Sequence, residues 1–288
     1  MEVVEYTDAM CSWAWGTEPK LRRFRWRFED QISLTQVMGH LVEDEHMPDR
    51  DPVAGAPKLQ RYWRAVHGIT GMPGADPLHR TTRGSMASGL TMRAAARQGD
   101  GVAELVMRRL REATFVFGEP PDSPERTGHA VRGVQGLDEA RLAADVVGVE
   151  VASAYEADRE RTRRPNREVL ELDGDRPGIG RARATPDGRM RFVFPTLVFR
   201  GPGGEHTAPG WVPYEDYEEA FVAAGGSLAD ARRDPTPQEA FERWPTLAPI
   251  ELAQLCGPDA LVPEGVVTHR WAGGELHLRS DEAVALDL

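Results

Sequence analysis

The order of strand-like and helix-like segments is the feature that most limits how this chain can fold. Residues 2–7 and 31–38 have the length and composition of short strands, and apolar residues recur at helical spacing over 11–28 between them. Helical periodicity then runs from 59 to 164 without a good strand, and a continuous apolar run follows at 191–199, as in a strand buried on both faces. This order predicts a β-α-β unit and a later β-β-α unit, separated by a long helical block.

Local signals add finer expectations. The polar, Pro- and Asp-rich residues 40–58 are expected to form a loop. Pro19 is expected to kink the helix over 11–28, because its ring displaces a carbonyl and its missing N–H removes a hydrogen bond. Glycines at 201–204 predict a turn, after which 205–207 begin a partner strand.

The end of the chain is expected to form a small α+β appendage, with a helix at 249–256 and a hairpin made by 265–269 and 275–279. The predicted fold class is therefore α/β, with a sheet-bearing unit interrupted by an all-helical insertion. The predicted parts are, in order, the first half of the sheet unit (1–39), the helical insertion with its linkers (40–190), the second half of the sheet unit (191–228) and the appendage (229–288).

Composition excludes several classes of function. The 35 Lys and Arg residues against 46 Asp and Glu leave a net charge of −11, which is unsuited to tracking a phosphate backbone, so no nucleic-acid partner is expected. The longest apolar run is too short to span a bilayer, so no membrane partner is expected either. Two cysteines cannot form a disulfide framework, and the first residues have no signal-peptide pattern, so a reducing cytoplasm is the expected location.

Several separated motifs resemble those of the DsbA family, and in particular its cytoplasmic branch. Residues 6–19 (Tyr-Thr-Asp-Ala-Met-Cys-Ser-Trp-Ala-Trp-Gly-Thr-Glu-Pro) look like the family's strand, active-site turn and helix start. Segments 71–73, 94–99 and 136–138 look like its helical insertion, and 194–196 (Phe-Pro-Thr) resemble its cis-proline strand. The resemblance covers about residues 2–225 and implies a thioredoxin-like fold interrupted by helices.

One departure from the family pattern dominates the prediction of function. The family's motif has two cysteines separated by two residues, whereas Cys11-Ser12-Trp13-Ala14 has alanine in the second position. Dithiol exchange needs a neighbouring thiol to resolve the mixed disulfide. The sequence thus predicts a single catalytic thiol, Cys11, with a lowered pKa because it precedes a helix N-terminus.

The resemblance also implies which residues bind substrate. Phe194 and Pro195 would lie opposite Cys11 with a cis peptide bond between them, and the backbone there would pair with an extended substrate. The predicted substrate-binding residues are Ser12, Trp13, Ala14, Phe194 and Pro195.

These residues favour a monothiol thiol–disulfide oxidoreductase. Its substrate would be a protein disulfide or a small thiol adduct, and no bound cofactor is expected. Glutathione or another low-molecular-weight thiol would serve as co-substrate in place of the missing cysteine.

Two alternatives of the same fold stay open. One is a non-catalytic adaptor that binds a protein client, since Ala14 removes the sulfur that turnover needs. The other is a glutathione-dependent isomerase or transferase that resembles the kappa-class glutathione transferases and 2-hydroxychromene-2-carboxylate isomerases, with Ser12 or Cys11 beside the bound thiol.

Other candidate residues are interpreted as structural. Cys256 lies on an apolar helix face, so it is expected to pack and not to form a disulfide with Cys11. The spacing of the acidic and histidine residues at 40–46 fits no tight metal site, so no metal is predicted. That set comprises His40, Glu43, Asp44, Glu45 and His46.

Overall fold

A computed structural model describes residues 1–42, 51–173, 178 and 180–288 of the chain. A four-stranded sheet has the strand order β2-β1-β5-β6. β1 and β2 are parallel, whereas β5 is antiparallel to both β1 and β6. The strands are β1 (Glu2–Thr7), β2 (Ser33–Met38), β3 (Arg183–Ala184), β4 (Met190–Arg191), β5 (Thr196–Gly201), β6 (Gly204–Pro209), β7 (Thr246–Leu247), β8 (Val266–Trp271) and β9 (Gly274–Arg279).

Helices connect and cover these strands. α3 to α8 form the insertion, in which the described residues between 52 and 162 contain no strand. The predicted thioredoxin-like α/β fold with a helical insertion is therefore confirmed. The helices are α1 (Ser12–Trp15), α2 (Glu18–Phe28), α3 (Pro52–Thr70), α4 (Met86–Ala96), α5 (Asp100–Phe115), α6 (Pro124–Ala130), α7 (Glu139–Val146), α8 (Val149–Thr162), α9 (Arg167–Glu171), α10 (Tyr214–Ala223), α11 (Pro237–Arg243), α12 (Pro249–Cys256) and α13 (Ser280–Ala285).

Alternating side chains of the sheet enter two different cores. Val3 and Phe199 pack on one face with aromatic residues of α2 and α10, whereas Val4 and Val198 pack on the other face with Cys11. Both faces of the sheet are thus buried at β1 and β5, which explains why β5 begins with an apolar run without alternation.

Two predictions near the start were wrong. The expected single helix over 11–28 is two helices, because the chain leaves the helical path after Trp15. Pro19 lies in the first turn of α2, where a missing N–H costs nothing, so it starts that helix and does not kink it.

The prediction of a loop over 40–58 was wrong for residues 52–58, which belong to α3. α3 begins at Pro52, and the Asp51 side chain caps it by accepting hydrogen bonds from the backbone N–H groups of Val53 and Ala54. The Asp-Pro pair was interpreted as a loop signal, although it is also a typical helix start. Residues 43–50 lie outside the described part of the chain.

The later strands also differ from prediction. Met190 and Arg191 pair with Arg183 and Ala184 in a separate small hairpin, and β5 begins only at Thr196. Within the connection over 165–190, Asp187 and Gly188 predicted a hairpin-like turn, which is confirmed between β3 and β4, whereas α9 was not predicted. Composition alone does not distinguish such short elements from a loop.

The C-terminal elements pack against the rest of the fold through buried charges. The predicted helix and hairpin are present as α12 and β8–β9, and β7 adds a third strand beside β9. Glu251 of α12 accepts hydrogen bonds from Arg108 of α5 at 3.0 and 2.8 Å and forms an ion pair with Arg22 of α2 at 3.2 Å. All three side chains are buried, and the charge network continues to Glu18, which pairs with Arg22, and to Glu112, which pairs with Arg108.

Candidate active site

Cys11 lies where β1 ends and α1 begins. It is the N-cap residue of α1, and its thiol donates a hydrogen bond to the backbone carbonyl of Phe194, with an Sγ–O distance of 3.2 Å. The peptide bond between Phe194 and Pro195 is cis. The fold thus brings together two segments that are 183 residues apart in the sequence.

Ala14 follows Cys11 by one helical turn and is also buried. Both residues belong to the same apolar cluster, which includes Phe194 and Tyr6. Both cysteines of the chain are free in the structure. The position where a dithiol motif would have its second sulfur therefore holds only a methyl group.

Aromatic side chains cover the Cys11 segment. The indole N–H of Trp13 donates to the Tyr62 hydroxyl of α3 at 2.8 Å, and the Trp13 ring lies 6.0 Å from that of Trp211. Trp211 in turn donates its indole N–H to the backbone carbonyl of Gly16 at 3.1 Å. Cys11 retains only 4% of its exposure under this cover.

The sequence motifs did not identify Tyr62 or Trp211 as residues of the site. Tyr62 precedes the buried Trp63 on α3, a helix whose start was interpreted as a loop. Trp211 follows Gly210, whose positive φ turns the chain at the end of β6. Nothing local to either residue points to Cys11.

The electrostatic surroundings oppose ionisation of Cys11. Burial, and to a smaller extent the nearby Asp8 carboxylate, raise the pKa of its thiol to about 11. Hydrogen bonds from the backbone N–H groups of Ala14 and Trp13 and the charge of Arg111 act in the opposite direction but are weaker. The prediction of a lowered pKa was wrong, because α1 has only one turn and burial outweighs its N-terminal N–H groups.

Asp8 is a buried acid that the sequence reasoning did not select. Its carboxylate accepts hydrogen bonds from the backbone N–H groups of Met10 and Leu41, both at 2.8 Å. Burial nevertheless raises the pKa of Asp8, despite these bonds. Through its two hydrogen bonds, Asp8 fixes the turn that leads into Cys11.

Arg111 of α5 is the main positive charge near the thiol. It donates to the Thr7 hydroxyl at 2.7 Å, forms an ion pair with Glu5 at 3.5 Å and hydrogen-bonds to Glu18. Burial would raise the pKa of Glu18, but the surrounding arginines, first among them Arg111, lower it to about 2. The arginine is therefore compensated by carboxylates and gives the thiol little net stabilisation.

Cys256 lies in a different element from Cys11. It is half-buried on α12 beside an apolar cluster that contains Phe241 and Leu252. Burial raises the pKa of its thiol to about 11 as well. A packing role agrees with this environment.

Neither a metal cluster nor a membrane helix is found in the part of the chain that the structure describes. No group of three or more His, Cys, Asp or Glu side chains there could hold a metal ion. Of the histidine and acidic residues over 40–46, only His40 is described. Among the same residues, no helix combines the length and apolar character needed to cross a bilayer.

The fold is that of the DsbA-like oxidoreductases. No protein-family model matches the sequence, and no curated protein matches it significantly. Solved structures do match, although at low sequence identity. A proposed protein disulfide isomerase from Nitrosomonas europaea is 16% identical with a TM-score of 0.57, and the match covers 78% of this chain and 98% of that one.

A second similar structure is the cytosolic disulfide reductase DsbM from Pseudomonas aeruginosa. It is 16% identical with a TM-score of 0.53, over 77% of this chain and 98% of DsbM. A DsbA-type oxidoreductase from Streptomyces coelicolor is 14% identical with a TM-score of 0.53, over 79% of this chain and 91% of that one. At such identities the likeness shows a shared fold.

Proposed function

We propose that this chain is a monothiol thiol–disulfide oxidoreductase of the DsbA-like fold. The observation that carries the proposal is the pairing of Cys11 with the Phe194 carbonyl beside Pro195, while Ala14 occupies the place of a resolving cysteine. A single sulfur in this position can form a mixed disulfide but cannot release it internally.

The reaction has two exchange steps. In the first, the Cys11 thiolate attacks one sulfur of a substrate disulfide, an S–S bond forms to Cys11, and the other substrate sulfur leaves as a thiolate. In the second, an external thiolate attacks the mixed disulfide, and Cys11 leaves as a thiolate that takes up a proton. One substrate disulfide is thereby exchanged for another, without net oxidation of Cys11.

The raised pKa of Cys11 affects both steps. It keeps the thiol protonated at neutral pH, and it makes Cys11 a poor leaving group, because thiols of high pKa leave slowly. The mixed disulfide is therefore expected to persist until an external thiol is abundant. Glutathione is a suitable probe, since DsbM has been solved with GSH.

Substrate binding is assigned to the residues around the thiol. Ser12, Trp13 and Ala14 form α1 beside Cys11, and Phe194 and Pro195 face it across the site. An extended substrate would reach Cys11 when Trp13 parts from Tyr62, since the hydrogen bond between these two side chains holds the cover in place.

The test uses two substitutions at one position, Ala14→Cys and Ala14→Ser. The cysteine supplies a resolving sulfur one turn from Cys11, whereas the serine has nearly the same size and no redox chemistry. The assay measures insulin reduction with a glutathione-regenerating system, together with the mass of adducts trapped on Cys11.

We expect the wild-type chain and Ala14→Ser to accumulate an adduct on Cys11 that glutathione releases in a dose-dependent manner. Ala14→Cys should turn over faster and depend less on added glutathione. If Cys11 forms adducts but Ala14→Cys turns over no faster than Ala14→Ser, the monothiol mechanism is wrong.

A second candidate is a non-catalytic binding protein of the same fold. The observation that favours it is the protonated, buried and hydrogen-bonded state of Cys11, which suits a packed residue as well as a resting nucleophile. The variant Cys11→Ser separates the two: a binding protein would retain its protein client in the presence of reductant, whereas a monothiol enzyme would lose all adduct formation.

A further inference from the structure

A cavity of about 610 Å³ lies between the C-terminal half of α5, α6 and the end of α13. It is separate from the thiol site, because Cys11 and the residues around it do not line it. Its volume falls within the range of about 300–1,000 Å³ that is typical of small-molecule sites.

Arg109 of α5 is the buried member of the cavity lining. Its side chain is 3% exposed, whereas the other charged residues of the lining are exposed at the rim. Arg109 forms an ion pair with the buried Glu282 of α13 through Nε, at 2.7 Å. Within the described part of the chain, its Nη2 has no hydrogen-bond partner.

A buried guanidinium with an unused donor favours an oxygen acceptor. Arginine has five N–H donors in a planar fork, and the contact with Glu282 engages one side of that fork. A donor that is buried without a partner is destabilising, and an ionised carboxylate is one of the acceptors with which arginine forms strong, charge-assisted hydrogen bonds.

The remainder of the lining consists of an apolar wall and a charged rim. Ala113, Phe117, Ala130 and Leu286 form half-buried walls. At the rim, Arg126 and Glu119 form an ion pair at 3.0 Å and thus offset each other's charge. The rim also carries Arg132 and the exposed acids Glu125 and Asp287, so two arginines stand there with three acids, and an anion in the cavity would depend on Arg109.

We propose that this cavity binds a small organic acid. Its apolar body lies against Phe117 and Leu286, and its carboxylate accepts hydrogen bonds from Arg109. The site is independent of thiol chemistry, and because α13 provides part of its wall, an occupied cavity ties α13 to the helical insertion.

The test measures binding of octanoate and 4-phenylbutyrate by titration calorimetry, with octanamide and 4-phenylbutanamide as neutral counterparts. We expect saturable binding of at least one acid with a Kd of about 1 mM or tighter, and at least about tenfold weaker binding of its amide. If neither acid binds saturably, or if acid and amide bind equally, the proposal is wrong.

Two variants locate the site. Ala113→Leu narrows the cavity one helical turn from Arg109 without changing any charge, and it should weaken acid binding at least about tenfold because the larger side chain occupies space beside the guanidinium. Arg61→Gln removes an exposed charge of α3 outside the cavity lining as a control and should change the affinity less than about twofold. Equal affinities of wild type and a folded Ala113→Leu protein would overturn the proposal, as would a larger effect of Arg61→Gln.

Discussion

The ionisation of Cys11 provides the sharpest test of the site, because burial and Asp8 both act against the thiolate. An ordinary cysteine has a pKa of about 8.5, so a pKa of about 11 lowers the thiolate fraction at pH 7 by about 300-fold. Only about one molecule in 10,000 would then carry a Cys11 thiolate at that pH.

Alkylation by iodoacetamide reads this fraction directly, since the thiolate is the nucleophile. The measurement is made on a Cys256→Ser background by mass spectrometry between about pH 6.5 and pH 10. The rate at Cys11 should rise about tenfold per pH unit over this whole range, without a plateau. Limited access through the aromatic cover lowers the rate equally at every pH, so the slope and not the absolute rate reports the pKa.

Two further measurements test whether burial and Asp8 cause the raised pKa. In urea, where burial is lost, alkylation of Cys11 should level off near its ordinary pKa of about 8.5. In the folded Asp8→Asn variant the pKa of Cys11 should fall, because the substitution removes a carboxylate that opposes the thiolate. A plateau below about pH 9 in the folded wild-type chain would refute the burial argument. No change in Asp8→Asn would refute the assigned effect of Asp8.

Four other substitutions test the packing and the buried charges of the fold. Glu251→Ala should lower the free energy of urea unfolding by about 1.5–3 kcal/mol, because it removes hydrogen bonds from buried Arg108 and an ion pair with buried Arg22, although Glu112 and Glu18 still pair with these arginines. Glu275→Ala, which breaks an exposed ion pair, should cost less than about 1 kcal/mol, and equal losses would contradict the buried network. Burial lowers the pKa of His67 to about 4, so the unfolded chain binds more protons and stability should fall as the pH drops from about 6.5 towards 4. His67→Gln should flatten this pH dependence, and an unchanged profile in pH-scanned unfolding would exclude His67 as its source. Gly39→Ala should destabilise the chain by about 1–3 kcal/mol, because a Cβ there would overlap the Phe194 ring, and a neutral effect on the midpoint would show that this contact yields.

The sequence by itself determined the order of the main elements. Period-2 and period-3.6 patterns are local, so the β-α-β start, the helical insertion and the helix over 249–256 could be predicted without a partner segment. The position of Cys11 at a helix start could be predicted for the same reason, since a strand, a turn and a helix follow one another directly. Local signals failed where one residue type suits two structures, as at Asp51 and Pro52, which start a helix where a loop was expected.

The chemistry of the site was decided by the tertiary structure. The pKa of Cys11 depends on burial and on Asp8 and Arg111, and Arg111 lies on a helix of the insertion. The hydrogen bond between Trp13 and Tyr62 joins residues that are 49 positions apart, and the one between Cys11 and Phe194 joins residues that are 183 positions apart. Desolvation and Coulomb interactions depend on which groups lie close in space, and the sequence does not show this. The helix N-terminus favours the Cys11 thiolate, but burial of the thiol beside a carboxylate has the larger, opposite effect on its pKa.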